Sequence, residues 1–308
     1  MPTVRLAYRD NDRTPVIYCI KAMAERHYGV NVEVVQIEER HAFEDALFNN
    51  SCDVIIEHIE YLYPEAANGK KVTFFCAPQI HRGLHLVVPQ GFAALNEMRG
   101  KTMAVRDLGR PHAVTLWLRK MGLEKDVRTI IVKDKEIGRW KQWKKVISGD
   151  CAAGFIAPIY LPAALDAGLK TFPVPEVEIV SNFAQACLSG FVTRNPAVMK
   201  NYMKAVVHAL ALLLYRRDEA MEIVAEEPMR LMKVSDPAEL RRQVDAIAKL
   251  LQAKPYPTAE AIVNSNEIAA REYGAGMENP LTLWDLHHLK ELDDEGFIDE
   301  LIAGLTKA

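Results

Sequence analysis

No apolar run in this sequence is long enough to cross a bilayer. The longest, residues 205–215, is interrupted by His208, whereas a spanning helix needs about 20 apolar residues. It is expected in a buried helix, and no membrane span is expected. Positive charge is not in surplus either. The 38 Lys and Arg stand against 41 Asp and Glu, for a formal net charge of −3. That argues against a nucleic-acid partner, because domains that grip phosphate backbones are usually basic. Cysteine is sparse: Cys19, Cys52, Cys76, Cys151 and Cys187 form no CxxC pair and are odd in number. Buried thiols in a reducing compartment fit this better than a disulfide frame. The opening MPTVRLAY shows no basic stretch followed by an apolar segment and a cleavage site. As it stands the chain reads as cytoplasmic; a leader removed ahead of Met1 would make it periplasmic or membrane-anchored. There is no P-loop, GxGxxG or GxSxG motif. No spacing of His, Cys, Asp or Glu matches a recognised metal motif. No cofactor and no metal are expected.

What is present is regular alternation. The chain has 308 residues, 49% of them apolar, enough for a large core and two lobes. Strands are expected over residues 4–8, 31–37, 54–56, 72–75 and 84–88. Helices over 16–28, 41–49 and 63–67 lie between them. The order then repeats: strands over 102–105, 129–132 and 153–156, with helices from Pro111, over 140–147 and over 162–167. Such alternation predicts α/β layers with mostly parallel sheets. At an offset of 99 residues Thr3 falls on Thr102, Arg40 on Arg139, Cys52 on Cys151, Tyr61 on Tyr160, Leu62 on Leu161 and Gly69 on Gly168. After Gly190 the pattern is nearly all helical. A long helix is expected from Asn195-Pro196 to about Val224, and a capping box at residues 282–285.

The segment 99–123, RGKTMAVRDLGRPHAVTLWLRKMGL, is the centre of the functional reading. It reads as strand, tight polar turn and amphipathic helix. Pro111 suits a first helical turn, and Gly109 permits a sharp bend before it. Free backbone N–H groups and the positive helix end would converge there with Arg106, Arg110 and His112. That is a cup for a small anion, or a structural turn of the same shape. RDNDRTP at residues 9–15 is its counterpart in the first half.

Three strings carry a family resemblance: ALFNNSCDVIIEHIEYLYPEAANGKKV, MRGKTMAVRDLGRPHAVTLWLRKMGL and VISGDCAAGFIAPIYLPAALDAG. Their order and spacing resemble the type 2 periplasmic-binding-protein superfamily over roughly residues 3–225, nearest the nitrate, sulfonate and taurine solute-binding proteins. Ala152 stands where that pattern usually has Asp. The turn holding Asp10, Asp12, Arg13 and Thr14 is similar to the opening of dihydroxyphthalate decarboxylases. Residues 254–286 loosely resemble that family's ending. The resemblance implies a two-lobed α/β fold, each lobe a mixed, mostly parallel sheet flanked by helices, with a helical C-terminal region. Lobe one would be residues 1–87 plus 192–308, and lobe two residues 88–191. The chain would cross near 86–90 and 188–193, and the ligand cleft would lie between the lobes at the C-terminal ends of the strands.

Placed on that fold, the candidate ligand residues are Arg9, Asn11, Arg13, Thr14, Glu57, His58, Tyr61, Arg82, Asp107, Arg110, His112 and Tyr160. Planar guanidinium groups match the paired oxygens of carboxylates and sulfonates. The same arginines can instead pair with Asp10, Asp12 and Asp107 or face solvent. Asn11 and Thr14 have turn chemistry as their alternative role. Tyr61 and Tyr160 have packing as theirs. Glu57 and His58 directly follow a strand, so alternation would send only one of them to the cleft. The expected function is solute binding: a small organic anion held by hinge closure, with an ABC transporter permease as the implied partner. The alternative is a cytoplasmic enzyme on the same fold acting on an aromatic or heterocyclic carboxylate, with His58, His81 or His112 as acid or base. A pyrimidine-precursor synthase is a weaker version, because the matching loops show no lysine for a pyridoxal phosphate link.

Overall fold

The computed structural model describes every residue except Arg82, 107–110, Arg139, Trp140, Ser181 and Ala308; for residues 111, 112, 134, 135 and 159 it describes the backbone alone. The chain divides into two units. The first contains Met1–Arg82 and Glu178–Ala308, the second Gly83–Val177.

The first unit opens with β1 (Thr3–Tyr8), a 3-10 turn at Asn11–Arg13 and α1 (Thr14–His27). Pro15 lies at the start of α1, where its missing N–H costs nothing. Gly29, at φ +65°, turns the chain into β2 (Asn31–Gln36). Then follow α2 (Arg40–Glu44), β3 (Val54–Glu57), α3 (Leu62–Ala67) and β4 (Val72–Cys76). The second unit contains β5 (His85–Pro89), β6 (Thr102–Arg106), α4 (Pro111–Lys120), β7 (Arg128–Val132), α5 (Asp134–Ile137) and α6 (Lys144–Ile147). It closes with β8 (Ala153–Ile156), α7 (Leu161–Asp166) and β9 (Leu169–Phe172). Back in the first unit come β10 (Ala184–Leu188) and eight helices: α8 (Ser189–Arg194), α9 (Pro196–Tyr215), α10 (Arg217–Val224), α11 (Glu226–Met232), α12 (Pro237–Ala248), α13 (Ala259–Tyr273), α14 (His287–Asp294) and α15 (Phe297–Thr306).

The two sheets have one plan. The first has the order β2-β1-β3-β10-β4, the second β7-β6-β8-β5-β9. In the first, β1 pairs parallel with β2 and β3, while β10 is antiparallel to β3 and β4. In the second, β6 is parallel to β7 and β8, and β5 is antiparallel to β8 and β9. Four strands of each sheet therefore run one way and the fourth in order runs back. The 99-residue offset holds residue for residue between β3 and β8.

The reversed strands also set the unit boundaries. β5 belongs wholly to the second sheet and β10 wholly to the first, so the connections fall at residues 82/83 and 177/178. The expectation from sequence put them at 87/88, inside β5, and at 191/192, inside α8 just after β10. Strand alternation supplies both faces of each sheet. Leu6, Tyr8 and Ile56 pack into one apolar cluster of the first unit, and Ala7 and Ile55 into another. Met103, Val105 and Phe155 lie on one face of the second sheet, and Ala104 and Ile156 on the other.

α9 is long and apolar enough by length and composition to cross a membrane, but most of it is buried in the first unit. It stops at Tyr215, short of the expected end at Val224. Arg216 leaves the helical region (φ −134°, ψ 55°), and its Nε donates to the Leu305 carbonyl at 2.6 Å. The expected capping box at 282–285 is a 3-10 turn, Pro280–Leu283, fixed by the Asn279 side chain; Asp285 instead accepts from the His287 amide at 3.1 Å. Of the helix expected over 140–147, the described residues show only its final turn, α6. All five cysteines are buried and free.

Candidate functional site

The C-terminal ends of β1 and β3, with the segments after β4 and before β10, build one polar edge of the first unit around Arg13. Arg13 ends the 3-10 turn after β1 and is only 3% exposed. A guanidinium has five N–H donors, and five oxygens stand around this one. Nε donates to the Asn182 carbonyl at 3.0 Å. Nη1 meets Asp12 Oδ1 at 2.9 Å and Asp10 Oδ2 at 3.2 Å. Nη2 meets Asn182 Oδ1 at 3.5 Å and forms an ion pair with Glu57 Oε1. Asn182 Nδ2 in turn donates to Gln79 Oε1 at 3.3 Å, and Gln79 Nε2 donates to the His81 carbonyl. Both connecting segments are thus tied to the end of β1.

Glu57 is the last residue of β3 and is 2% exposed. Burial pushes its carboxyl up to about 7 against the opposing pull of Arg13. Its Oε1 also accepts the His58 amide at 3.0 Å, while Oε2 has no hydrogen-bond partner among the described residues. The His58 ring lies between two carboxylates, 4.0 Å from Glu57 and 4.0 Å from the fully buried Glu60. A buried carboxylic acid near neutrality beside an imidazole is suited to accept donors or to exchange a proton.

The other predicted residues fall as follows. Arg9 is a quarter exposed and 3.7 Å from Asp10. Asn11 is held on both sides of its amide: Nδ2 donates to the Leu231 carbonyl at 2.8 Å, and Oδ1 accepts from Gln36 at 2.7 Å. Thr14 Oγ1 donates to the Asn11 carbonyl at 2.7 Å, so both residues shape the turn. Tyr61 is buried, packed edge-on against Phe43 with ring centroids 6.2 Å apart. His81 follows Gln79 at the same edge. In the second unit, Tyr160 ends a 3-10 turn after β8 and packs against that unit's core. Arg82, Asp107 and Arg110 lie outside the described residues. The His112 side chain lies outside them too. Among the described residues no group of three or more His, Cys, Asp or Glu could hold a metal ion.

Gln79, Glu60 and Asn182 were not among the sequence candidates. Gln79 and Asn182 stand in irregular segments, separated by 103 residues, with no periodic signal. Glu60 had one available cue, a second acid three positions after Glu57 directly behind an apolar strand.

A scan of the sequence matches no protein-family model and no curated protein. Solved structures do match. The periplasmic sulfonate-binding protein SsuA of Methylobacillus flagellatus aligns over 96% of this chain and 96% of its own, at a TM-score of 0.70 and 17% identity. The aliphatic sulphonate binding protein SsuA of Escherichia coli aligns over 89% of this chain and 92% of its own, at 0.63 and 15%. A Candida albicans protein described as having the generic periplasmic binding protein fold aligns over 92% and 94%, at 0.59 and 13%. The chain has the periplasmic-binding-protein fold. β3 and β8 each hold the third place in their sheet, and Glu57 and Ile156 are their final residues. At this position the first unit carries a buried acid and the second an apolar residue.

Proposed function

We propose that the chain is the solute-binding component of an ABC-type import system and takes a small organic molecule with a carboxylate or sulfonate group. The observation that carries this reading is the pair of matching sheets, each with a reversed fourth strand, aligned along nearly the whole chain with sulfonate-binding proteins. Open α/β sheets bind ligands beyond the carboxyl ends of their strands. The acidic group is assigned to Arg106 and Arg110, and the two connecting segments are the hinges of closure. A permease is the partner in that role, and the protein then works outside the cytoplasm.

One observation favours a second reading. The Glu57 carboxyl, raised to about 7 beside His58, has the acidity of a general acid or base. An enzyme acting on an aromatic or heterocyclic carboxylate would use it with His58, His81 or His112.

A thermal-shift screen of organic acids, with Arg110→Ala alongside, tests both readings. A carboxylate or sulfonate is expected to raise the melting temperature, and Arg110→Ala to abolish the rise. Mass spectrometry of the same samples separates the readings: unchanged ligand supports the binder, and a decarboxylated product supports the enzyme. An unshifted panel with no product rejects both.

A further inference from the structure

The edge of the first unit carries an acceptor that no described side chain serves. Arg13 has no donor to spare for a ligand, because its five N–H groups face five protein oxygens. Its role is to hold Glu57, Asn182 and the turn of Asp10 and Asp12 in place. Arg9 is directed to Asp10 at 3.7 Å. Glu57 spends Oε1 on Arg13 and on the His58 amide. Its Oε2 is buried with no hydrogen-bond partner among the described residues. Leaving a carboxylate oxygen buried and unserved is costly, and such atoms in folded proteins ordinarily meet a donor. This one lies at the C-terminal end of a central strand, where sheets of this kind present ligands.

We propose that Glu57 Oε2 is a specificity-determining acceptor for an N–H group of the ligand, so the solute is an amino-bearing organic acid rather than a simple organic anion. The inference rests on the solute-binding reading above and adds the class of its ligand. It also changes what the first unit contributes. Arg13 orients the acceptor, and Glu57 reads the nitrogen, while the ligand's acidic group is left to residues elsewhere. A protonated amine on a carboxylate makes a charge-assisted hydrogen bond, roughly twice as strong as a neutral one. A buried polar group built to meet a donor discriminates sharply against an analogue that lacks it.

Matched ligand pairs test this on the full chain by calorimetry: taurine against ethanesulfonate, and para-aminomethylbenzoate against para-methylbenzoate. The amino member of at least one pair is expected to bind at least tenfold more tightly than its partner. Glu57→Gln places an N–H donor where the acceptor stood, so it should erase that preference. Equal or tighter binding of the amine-free members means that no ligand N–H meets Oε2 and overturns the inference, but leaves the solute-binding reading standing. A preference that survives in Glu57→Gln overturns it as well. Failure of every acid in the panel to bind removes the solute-binding reading together with it. If Glu57→Gln does not fold, the wild-type pairs alone decide.

Discussion

Arg13 and Glu57 form a buried ion pair whose members are 3% and 2% exposed. Such a pair is fragile in one respect: deleting one member strands the other's charge in a poorly solvating place. Arg13→Ala is therefore expected to destabilise the first unit by about 3–5 kcal/mol, measured by urea unfolding. Adding Glu57→Gln should recover part of the loss, because the stranded charge is gone. A loss no larger than that of an exposed arginine would show that the pair is not buried as described. Glu57 also makes stability depend on pH. Its carboxyl titrates at about 7 in the folded chain and near 4.5 when exposed. Between those values the folded chain holds a proton that the unfolded chain has released. The stabilisation is therefore complete below about 4.5 and is lost as pH rises towards 7. Subtracting the stability curve of Glu57→Gln from that of wild type should leave a decline across this window; a flat difference would contradict the burial of Glu57. Little of this was legible in the sequence. Arg13 and Glu57 were recognisable as candidates, yet their mutual pairing joins residues 44 positions apart through tertiary structure alone. Nothing in RDNDRTP says that its second arginine turns inward, away from a ligand.

The connecting segments are fixed by tertiary contacts that have no local signature in the sequence. The chain leaving the first unit and the chain returning to it meet where the Ile179 amide donates to the Ile80 carbonyl at 2.7 Å. α13 holds the returning segment from the other side. Ser265 Oγ accepts from the Val180 amide at 2.9 Å, and Asn264 Nδ2 donates to the Glu178 carbonyl at 2.7 Å. Thr258, the residue ahead of α13, bonds the Glu178 carboxylate. Ser265→Ala leaves a buried amide unserved, at an expected cost of about 1–3 kcal/mol. Hydrogen exchange at Val180 and Ile179 should accelerate, with the amides of β1 unaffected; unchanged exchange at Val180 would contradict the clamp. α13 starts at Ala259, capped by the Thr258 side chain. That its polar face serves a segment 85 residues earlier carries no local signature. Helix α9 shows the same limit, because its break at Arg216 follows from a carbonyl on α15.

Across the whole chain, the repeated order of strands and helices was legible, because each unit repeats one plan and strand alternation buries both faces of each sheet. The placement of β5 and β10 was not. A reversed strand inserted fourth in its sheet has the same apolar pattern as a connecting strand, so only pairing partners reveal which sheet it joins. The functional account stands or falls on whether an organic acid occupies the strand ends of this fold. The direct measurement is isothermal titration calorimetry of the unmodified chain with taurine and para-aminomethylbenzoate. The account predicts saturable heat for at least one of them at one ligand per chain, abolished by Arg110→Ala and reduced at least tenfold in affinity by Glu57→Gln. Absence of saturable heat with both, or binding that neither substitution weakens, would contradict it.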